Sequence, residues 1–439
     1  MLPVTPDAPT WRNWGGTQSA TPTRVVHPTD VPQIIDLVRD TAERGGVLKP
    51  VGAGHSFSAI AVADDVQVDL SAMRGLVRVD GAAVTVRAGT YLHEMPAILA
   101  PYRLAMPNLG DVDRQSVAGA TATGTHGTGL RFGGVSTQIS AVTLVSGTGD
   151  IVTVGPDDPD LAAAALGLGA LGVLVEITLA CVPEFGLRAV EAPATFDDAV
   201  GGFVDRVAET DHHEFFWFPH TACALTRSNT RIGADTRRSG PGRVRRYVDD
   251  ELLSNKLFGM LCAVGARVPA VVPAVAQLSG RALGARTYTD RSDEVFVSSR
   301  GVRFREMEYA VALHEVPDVL REVRAMIDRR RYLVSFPVEV RAAAADDLML
   351  STATGRPTGY IAVHRYHGDD PADADAYFAD VERIMSAHDG RPHWGKMHGL
   401  DAAGLRRRYP RFDEFLEVRN RFDPARVFAN RYLRRVLGD

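Results

Sequence analysis

Glu339 and Arg341 stand two residues apart in Phe336-Pro337-Val338-Glu339-Val340-Arg341. In a strand, that spacing puts a carboxylate and a guanidinium on one face, with Val338, Val340 and Ala342 packing behind. Together they make a clamp for a hydroxyl-rich ligand, since the carboxylate accepts from hydroxyls and the guanidinium donates to oxygens. An ordinary cross-strand ion pair on an exposed sheet face has the same spacing. Lys396, in His393-Trp394-Gly395-Lys396, offers a cation or, where burial lowers its pKa, a proton acceptor.

Two segments are dense in small residues. One is Pro50-Val51-Gly52-Ala53-Gly54-His55-Ser56-Phe57-Ser58, and the other runs from Ser116 through Gly119, Thr123, Gly124 and His126 to Gly129. Small side chains let backbone N–H groups approach a ligand closely, and successive inward N–H groups make a nest for an anion such as a diphosphate. Two tight structural loops would have the same composition.

Other motifs mislead. Gly167-Leu168-Gly169-Ala170-Leu171-Gly172 matches G-x-G-x-x-G, but that fingerprint needs a strand before the glycines and a helix after. Here the pattern predicts a helix before (160–166) and a strand after (173–179), so a nicotinamide site of that type is rejected. Gly54-His55-Ser56-Phe57-Ser58 lacks the final glycine of the hydrolase elbow. Neither a Walker A sequence nor HExxH occurs. Cys181, Cys223 and Cys262 are odd in number and far apart, which implies neither a disulfide framework nor a zinc site.

The elements that must carry these residues are legible in outline. Thr29 and Asp30 precede a helix-period segment (Ile34, Ile35, Leu37, Val38, Ala42) that stops at Gly45-Gly46. Short strands are predicted at 47–51, 66–70 and 84–88, with a tight turn at Asp80-Gly81, a helix at 91–99 and a hairpin at 141–154. After Pro183, longer alternating stretches (214–218, 304–312) mix with a helix at 316–329, which predicts an antiparallel sheet covered by helices. Residues 233–246 read as an exposed loop. The tail from Asp401 reads as helical and arginine-rich, with a last short helix starting at Asp423-Pro424.

With 439 residues, 45% apolar, and a net charge of −5, the chain has ample core for two or three domains. That charge excludes a generally basic nucleic-acid binder, and the arginine clusters (243–246, 406–408) read as solvated faces. Residues 1–16 have neither the basic start nor the apolar stretch of a secretory segment, so a cytoplasmic protein is expected. The longest uncharged apolar run, 161–175, is too short to span a bilayer, so no stable membrane insertion is expected.

The chain resembles the vanillyl-alcohol-oxidase-type flavoproteins, and within them the aldonolactone oxidase and alditol oxidase group. The resemblance runs from Asn13-Trp14-Gly15-Gly16 through both glycine segments and Met106-Pro107-Asn108-Leu109-Gly110 to Glu339-Val340-Arg341, His393-Trp394-Gly395-Lys396 and the arginine-rich tail. It implies an α+β fold: a two-part FAD-binding domain (PCMH type) over 1–183 and a substrate cap with an antiparallel sheet flanked by helices over 184–385. A C-terminal segment, 386–439, then returns to the flavin.

Residue by residue, the resemblance implies that Pro50 to Ser56 wrap the FAD diphosphate, with His55 attaching the flavin covalently. Ser116, Gly119, Thr123, Gly124 and His126 would line its other side, and Gly172, Val173 and Ile177 the adenine end. Gly110 would leave room for dioxygen, where alanine in related proteins blocks it. Lys396 and His393 would sit by the flavin, with the Lys396 cation stabilising negative charge on the reduced ring. Glu339, Arg341 and His364 would bind substrate. Asp111, where some alditol oxidases carry serine, leans toward a lactone.

The expected reaction is oxidation of an aldono-1,4-lactone hydroxyl, with electrons passing to O2 or to another acceptor such as a cytochrome or quinone. An alditol substrate, a nicotinamide enzyme built on 167–172 and a non-catalytic flavin protein remain as alternatives.

Overall fold

The computed structural model describes residues 10–240, 256–298 and 301–439. The arginines at 243–246 lie outside the described residues. Near the N-terminus, strands Arg24–Val26, Val66–Asp69 and Leu48–Val51 form a parallel sheet in that order. The helix Val31–Glu43 connects two of them. It begins where expected because Asp30 accepts from the Gln33 N–H at 3.0 Å and Pro32 fits the first turn. Ile34, Leu37 and Val38 then share one buried face, and Gly45 turns the chain away at φ +64°. Leu48–Val51 delivers the chain into the loop of Gly52 to Ser56.

A five-stranded antiparallel sheet follows, in the order Ile151–Val154, Ile139–Val145, Val173–Ala180, Ala83–Arg87, Leu76–Asp80. Its core is continuous with that of the parallel sheet and with two C-terminal helices, Phe412–Phe422 and Arg431–Leu437, through Phe415, Leu433 and Val436. Each such fully buried side chain stabilises the fold by roughly 1.5–3 kcal/mol. Asn430 fastens this return. Its side-chain amide donates to the carbonyls of Ala59, Ile60 and Val62, while its oxygen caps the last helix at Leu433 N.

The Asp423-Pro424 expectation is corrected here. Asp423 follows the end of Phe412–Phe422, and its carboxylate accepts from the N–H groups of Val427 (2.7 Å) and Phe428 (3.0 Å). The side chain thus closes a turn, and the last helix begins only after Asn430.

The third layer is an eight-stranded antiparallel sheet. Its order is Arg286–Arg291, Phe185–Thr195, Cys223–Gly233, His212–Trp217, Val338–Ala343, Thr358–Tyr366, Phe304–Ala312, Arg391–Pro392. Strand alternation divides it. Phe215, Val340, Ile361 and Val363 pack on one face against the helices Val316–Arg330 and Pro371–Ala387. Glu214, Glu306, Glu308, Glu339, Arg341 and His364 occupy alternate positions, and most of them line a cavity facing the glycine segments. The fold is mixed α+β.

Candidate active site

The loop after Leu48–Val51 lines a cleft with Pro50 through Ser56, and Ser116, Gly119, Thr123 and Gly172 stand across from it. The two walls approach closely: a Cβ on Gly52 would lie 2.5 Å from Ser116 Oγ, so only glycine fits. The backbone N–H groups of Ala53, Gly54, His55 and Ser56 donate to no described residue. Four successive free donors in a cleft fit the diphosphate of a dinucleotide.

Lys49, unremarked in the sequence, reaches the same cleft. Its Nζ donates to the carbonyls of Leu168 (3.2 Å) and Gly169 (3.1 Å), and burial pulls its pKa down to about 7. Those carbonyls belong to the G-x-G-x-x-G loop, whose left-handed Leu168 (φ +55°) and Gly169 (φ +60°) turn it between a short helix, Leu161–Ala164, and the strand Val173–Ala180. The helix-then-strand order is therefore as expected.

His55, Ser56, Gln115 and Thr123 join this cleft to a second cavity. Backbone hydrogen bonds hold the distant motifs together there. Phe57 N donates to Gly395 O at 2.6 Å, Ser58 Oγ to Trp394 O at 2.8 Å, and the buried Trp394 indole to Leu350 O at 2.7 Å. On the other side, His393 N and Met397 N donate to the carbonyls of Glu308 and Glu306. The G-H-S and H-W-G-K segments thus form one wall.

Glu339, Arg341, His364, His393, Lys396, Gly110, Asp111 and His126 all line the second cavity. Arg341 pairs with Glu339 two residues away, with Asp111 at 3.3 Å and with Glu214 at 2.9 Å. Lys396 pairs with Glu306 and lies 5.4 Å over the Phe57 ring. Burial alone would lower the Lys396 pKa, but the carboxylates of Glu306 and Glu308 outweigh it and raise it above the ordinary lysine value. That direction favours a charged Lys396 over a proton acceptor. Burial would raise Glu306, but Lys396 and His364 pull it down to about 2. Glu308 is also held well below the carboxylate range, because His126 outweighs its burial.

The histidines have defined orientations. His364 Nδ1 lies 3.1 Å from Pro337 O, a pure acceptor, so Nδ1 carries a hydrogen and the neutral ring keeps its lone pair on Nε2. That Nε2 is 3.6 Å from Glu306. His126 places Nδ1 2.9 Å from Gly127 O and Nε2 2.9 Å from Glu308, while its ring stacks on Tyr360 at 3.5 Å. His126, Glu308 and His393 bring one ligand atom each within 4.8 Å of one another. Protein hydrogen bonds already engage both His126 nitrogens and His393 Nδ1, which accepts from Gly395 N. His55 is kept neutral, mainly by burial and then by Lys396, with its pKa lowered to about 4, and its ring faces Trp14 at 5.9 Å.

Three expected cofactor residues fall elsewhere. The side chains of Val173 and Ile177 are fully buried in the core, and Leu174, between them, lines the cleft beside Gly172. Gly124 serves as the left-handed cap (φ +79°) of the helix Val117–Thr123 and lines neither cavity. Glu306, Glu308 and Glu214 were missed by the sequence reading. The first two repeat the i, i+2 spacing of Glu339 and Arg341, and that was the available signal.

Residues 177–436 match the family model for D-arabinono-1,4-lactone oxidase. Along 98% of its length the chain is 41% identical to the L-gulono-1,4-lactone dehydrogenase of Mycobacterium tuberculosis, covering 100% of it. The chain belongs to the aldonolactone oxidase family. An FAD binding domain model matches residues 22–155, and the cofactor of this family member is FAD. The L-gulonolactone oxidase of Bos taurus is 29% identical over 97% of the chain and 98% of its own length. A cholesterol oxidase from Brevibacterium sterolicum shares the fold at a TM-score of 0.83 and 20% identity, covering 100% of this chain and 99% of that one. No helix among the described residues of this aldonolactone oxidase family member is long and apolar enough to cross a membrane.

Proposed function

We propose that the enzyme oxidises a ring hydroxyl of an aldono-1,4-lactone of the L-gulono type, giving a keto-lactone. The observation that carries this reading is the convergence of Glu339, Arg341, His364 and Lys396 on the cavity that His55 closes from the other side. When bound, FAD supplies the hydride acceptor. Pro50 to Ser56, Ser116, Gly119, Thr123 and Gly172 hold it, with Gly110, Asp111, His126 and His393 at the substrate end. His55, whose imidazole burial keeps neutral, would be the residue that holds the flavin covalently.

In this reading Arg341 and Glu339 grip the lactone oxygens and hydroxyls. His364 Nε2 takes the hydroxyl proton, and the Glu306 carboxylate stabilises the imidazolium that forms. Lys396 holds positive charge where negative charge develops. Residues 1–183, 184–385 and 386–439 act as FAD-binding domain, cap and returning segment. Electrons leave to O2 or to another acceptor such as a cytochrome or quinone.

Turnover with an artificial dye as acceptor tests the substrate class. L-gulono-1,4-lactone should reduce the dye rapidly, and activity confined to xylitol or sorbitol would move the enzyme to the alditol oxidases.

A further inference from the structure

Nine large apolar side chains are exposed among the described residues, and five of them lie in one short stretch: Leu257, Met260, Val264, Val268 and Leu278. Met260, Val264 and Val268 recur every four residues along and just past the helix Phe258–Arg267, so they share a face. Leu278 stands on the next helix, Val272–Arg281, which is 71% exposed at that side chain. The inner faces are anchored: Cys262 is buried, Phe258 meets the Phe336 ring at 4.9 Å, and Gly280 is so close to Cys223 that an added Cβ would lie 3.1 Å from it. The exposed apolar face is therefore held outward by the fold.

The charge on this hairpin is of one sign. Residues 256–289 contain Lys256, Arg267, Arg281 and Arg286 and no Asp or Glu. Arg286 pairs with Glu191, but Lys256, Arg267 and Arg281 form no ion pair with a described residue. An apolar helical face rimmed by unneutralised cations is the pattern of a helix lying in a bilayer interface. A second copy of this face fits it poorly, because a two-fold contact would bring together two surfaces that carry cations and no carboxylate between 256 and 289.

We propose that the helical hairpin 256–282 docks the enzyme peripherally on an anionic lipid surface, its apolar side chains entering the headgroup boundary and its cations meeting lipid phosphates. The hairpin adjoins the active-site cavity, since Phe336 lies 5.9 Å from the His364 ring. The proposal does not depend on the identity of the substrate.

Co-sedimentation of the flavin-loaded enzyme with vesicles tests it. Equimolar phosphatidylglycerol and phosphatidylcholine vesicles should carry the enzyme down, pure phosphatidylcholine vesicles should carry much less, and high salt should release it. Lys256→Gln and Arg267→Gln should each weaken partition about fivefold. Met260→Asp with Leu278→Asp should abolish it while turnover in solution stays unchanged, because neither residue lines the cavity. Absent sedimentation with the anionic vesicles, or equal sedimentation of parent and variants, overturns the proposal. A dimer in sizing experiments that the Asp variant splits, without vesicle binding, would assign the face to a second copy and overturn it too.

Discussion

Arg341 donates through Nε to Glu214, 2.9 Å away on the neighbouring strand. Glu214 also faces Arg227 at 3.4 Å, Arg227 faces Glu191 at 3.7 Å, and Glu191 accepts from Arg286. A ladder of alternating charge therefore crosses five strands and ends at the Glu339–Arg341 pair, the proposed substrate clamp. Burial would lower the Arg341 pKa, but Glu339, Asp111 and Glu214 raise it well above its ordinary value, so the guanidinium stays charged and held on several sides.

Glu214→Gln removes one charge from the middle of that ladder and leaves two buried guanidinium groups short of a partner. Breaking a buried pair from one side costs roughly 3–5 kcal/mol. Thermal unfolding should show that loss, and steady-state kinetics should show KM rising more than kcat falls, because Arg341 keeps its charge but loses its fixed position. An unchanged KM would mean that the ladder stabilises the sheet without setting the clamp.

The Lys396–Glu306 pair has a definite pH window. Glu306 sits below its ordinary value of 4.5, so its contribution is present above that pH and is lost as pH falls toward about 2. Lys396 is raised above 10.5, so its contribution is full below that pH and is lost only above it. Glu306→Gln should thus lower the melting temperature at neutral pH, with the difference from the parent narrowing below pH 4.5. A constant difference down to acid pH would contradict the pairing.

Proton transfer separates from that pair. Because Lys396 keeps its proton through the neutral range, Lys396→Ala should collapse turnover by removing charge stabilisation, a loss on the order of 10²–10³-fold, with flavin content unchanged. His364→Gln should lower kcat with flavin content unchanged, whereas Lys396→Arg, which keeps the positive charge, should lose far less. Near-normal turnover of Lys396→Ala would take that residue out of the chemistry.

Gly110 has a close neighbour. A Cβ there would come within 3.0 Å of His126 O, so Gly110→Ala presses on the segment that carries the His126–Glu308 pair. Reoxidation by dioxygen should slow more than reduction by substrate. Equal slowing in stopped-flow traces would assign the glycine to packing alone.

Much of this site is legible in the sequence where the signal is local. The Asp30-capped helix, the glycine loop with His55, and the shared face of Glu339 and Arg341 each follow from residues within a few positions of one another. Glu214, Glu306 and Glu308 were harder to find because their role depends on which strands become neighbours. The register that sets Glu306 opposite His364 joins segments some sixty residues apart in sequence, and no periodicity reports it. Asp423 misleads because Asp-Pro resembles a helix start, although its carboxylate is used by the N–H groups of Val427 and Phe428. Val173 and Ile177 turn their side chains into the core for a simpler reason: in a strand only alternate side chains reach the cleft, and those are Gly172 and Leu174.

The covalent attachment at His55 is tested by acid precipitation. Parent enzyme should keep its yellow colour in the pellet, and His55→Ala should release flavin to the supernatant. Flavin released from the parent, or retained in the variant, would remove His55 from that role.

Anaerobic stopped-flow bleaching of the flavin with L-gulono-1,4-lactone, L-galactono-1,4-lactone, xylitol and sorbitol in turn tests the central claim most directly. The account predicts rapid bleaching by a lactone, slow or absent bleaching by the alditols, and loss of the lactone reaction in Arg341→Met. Bleaching by alditols alone, or lactone bleaching that survives in Arg341→Met, would contradict it.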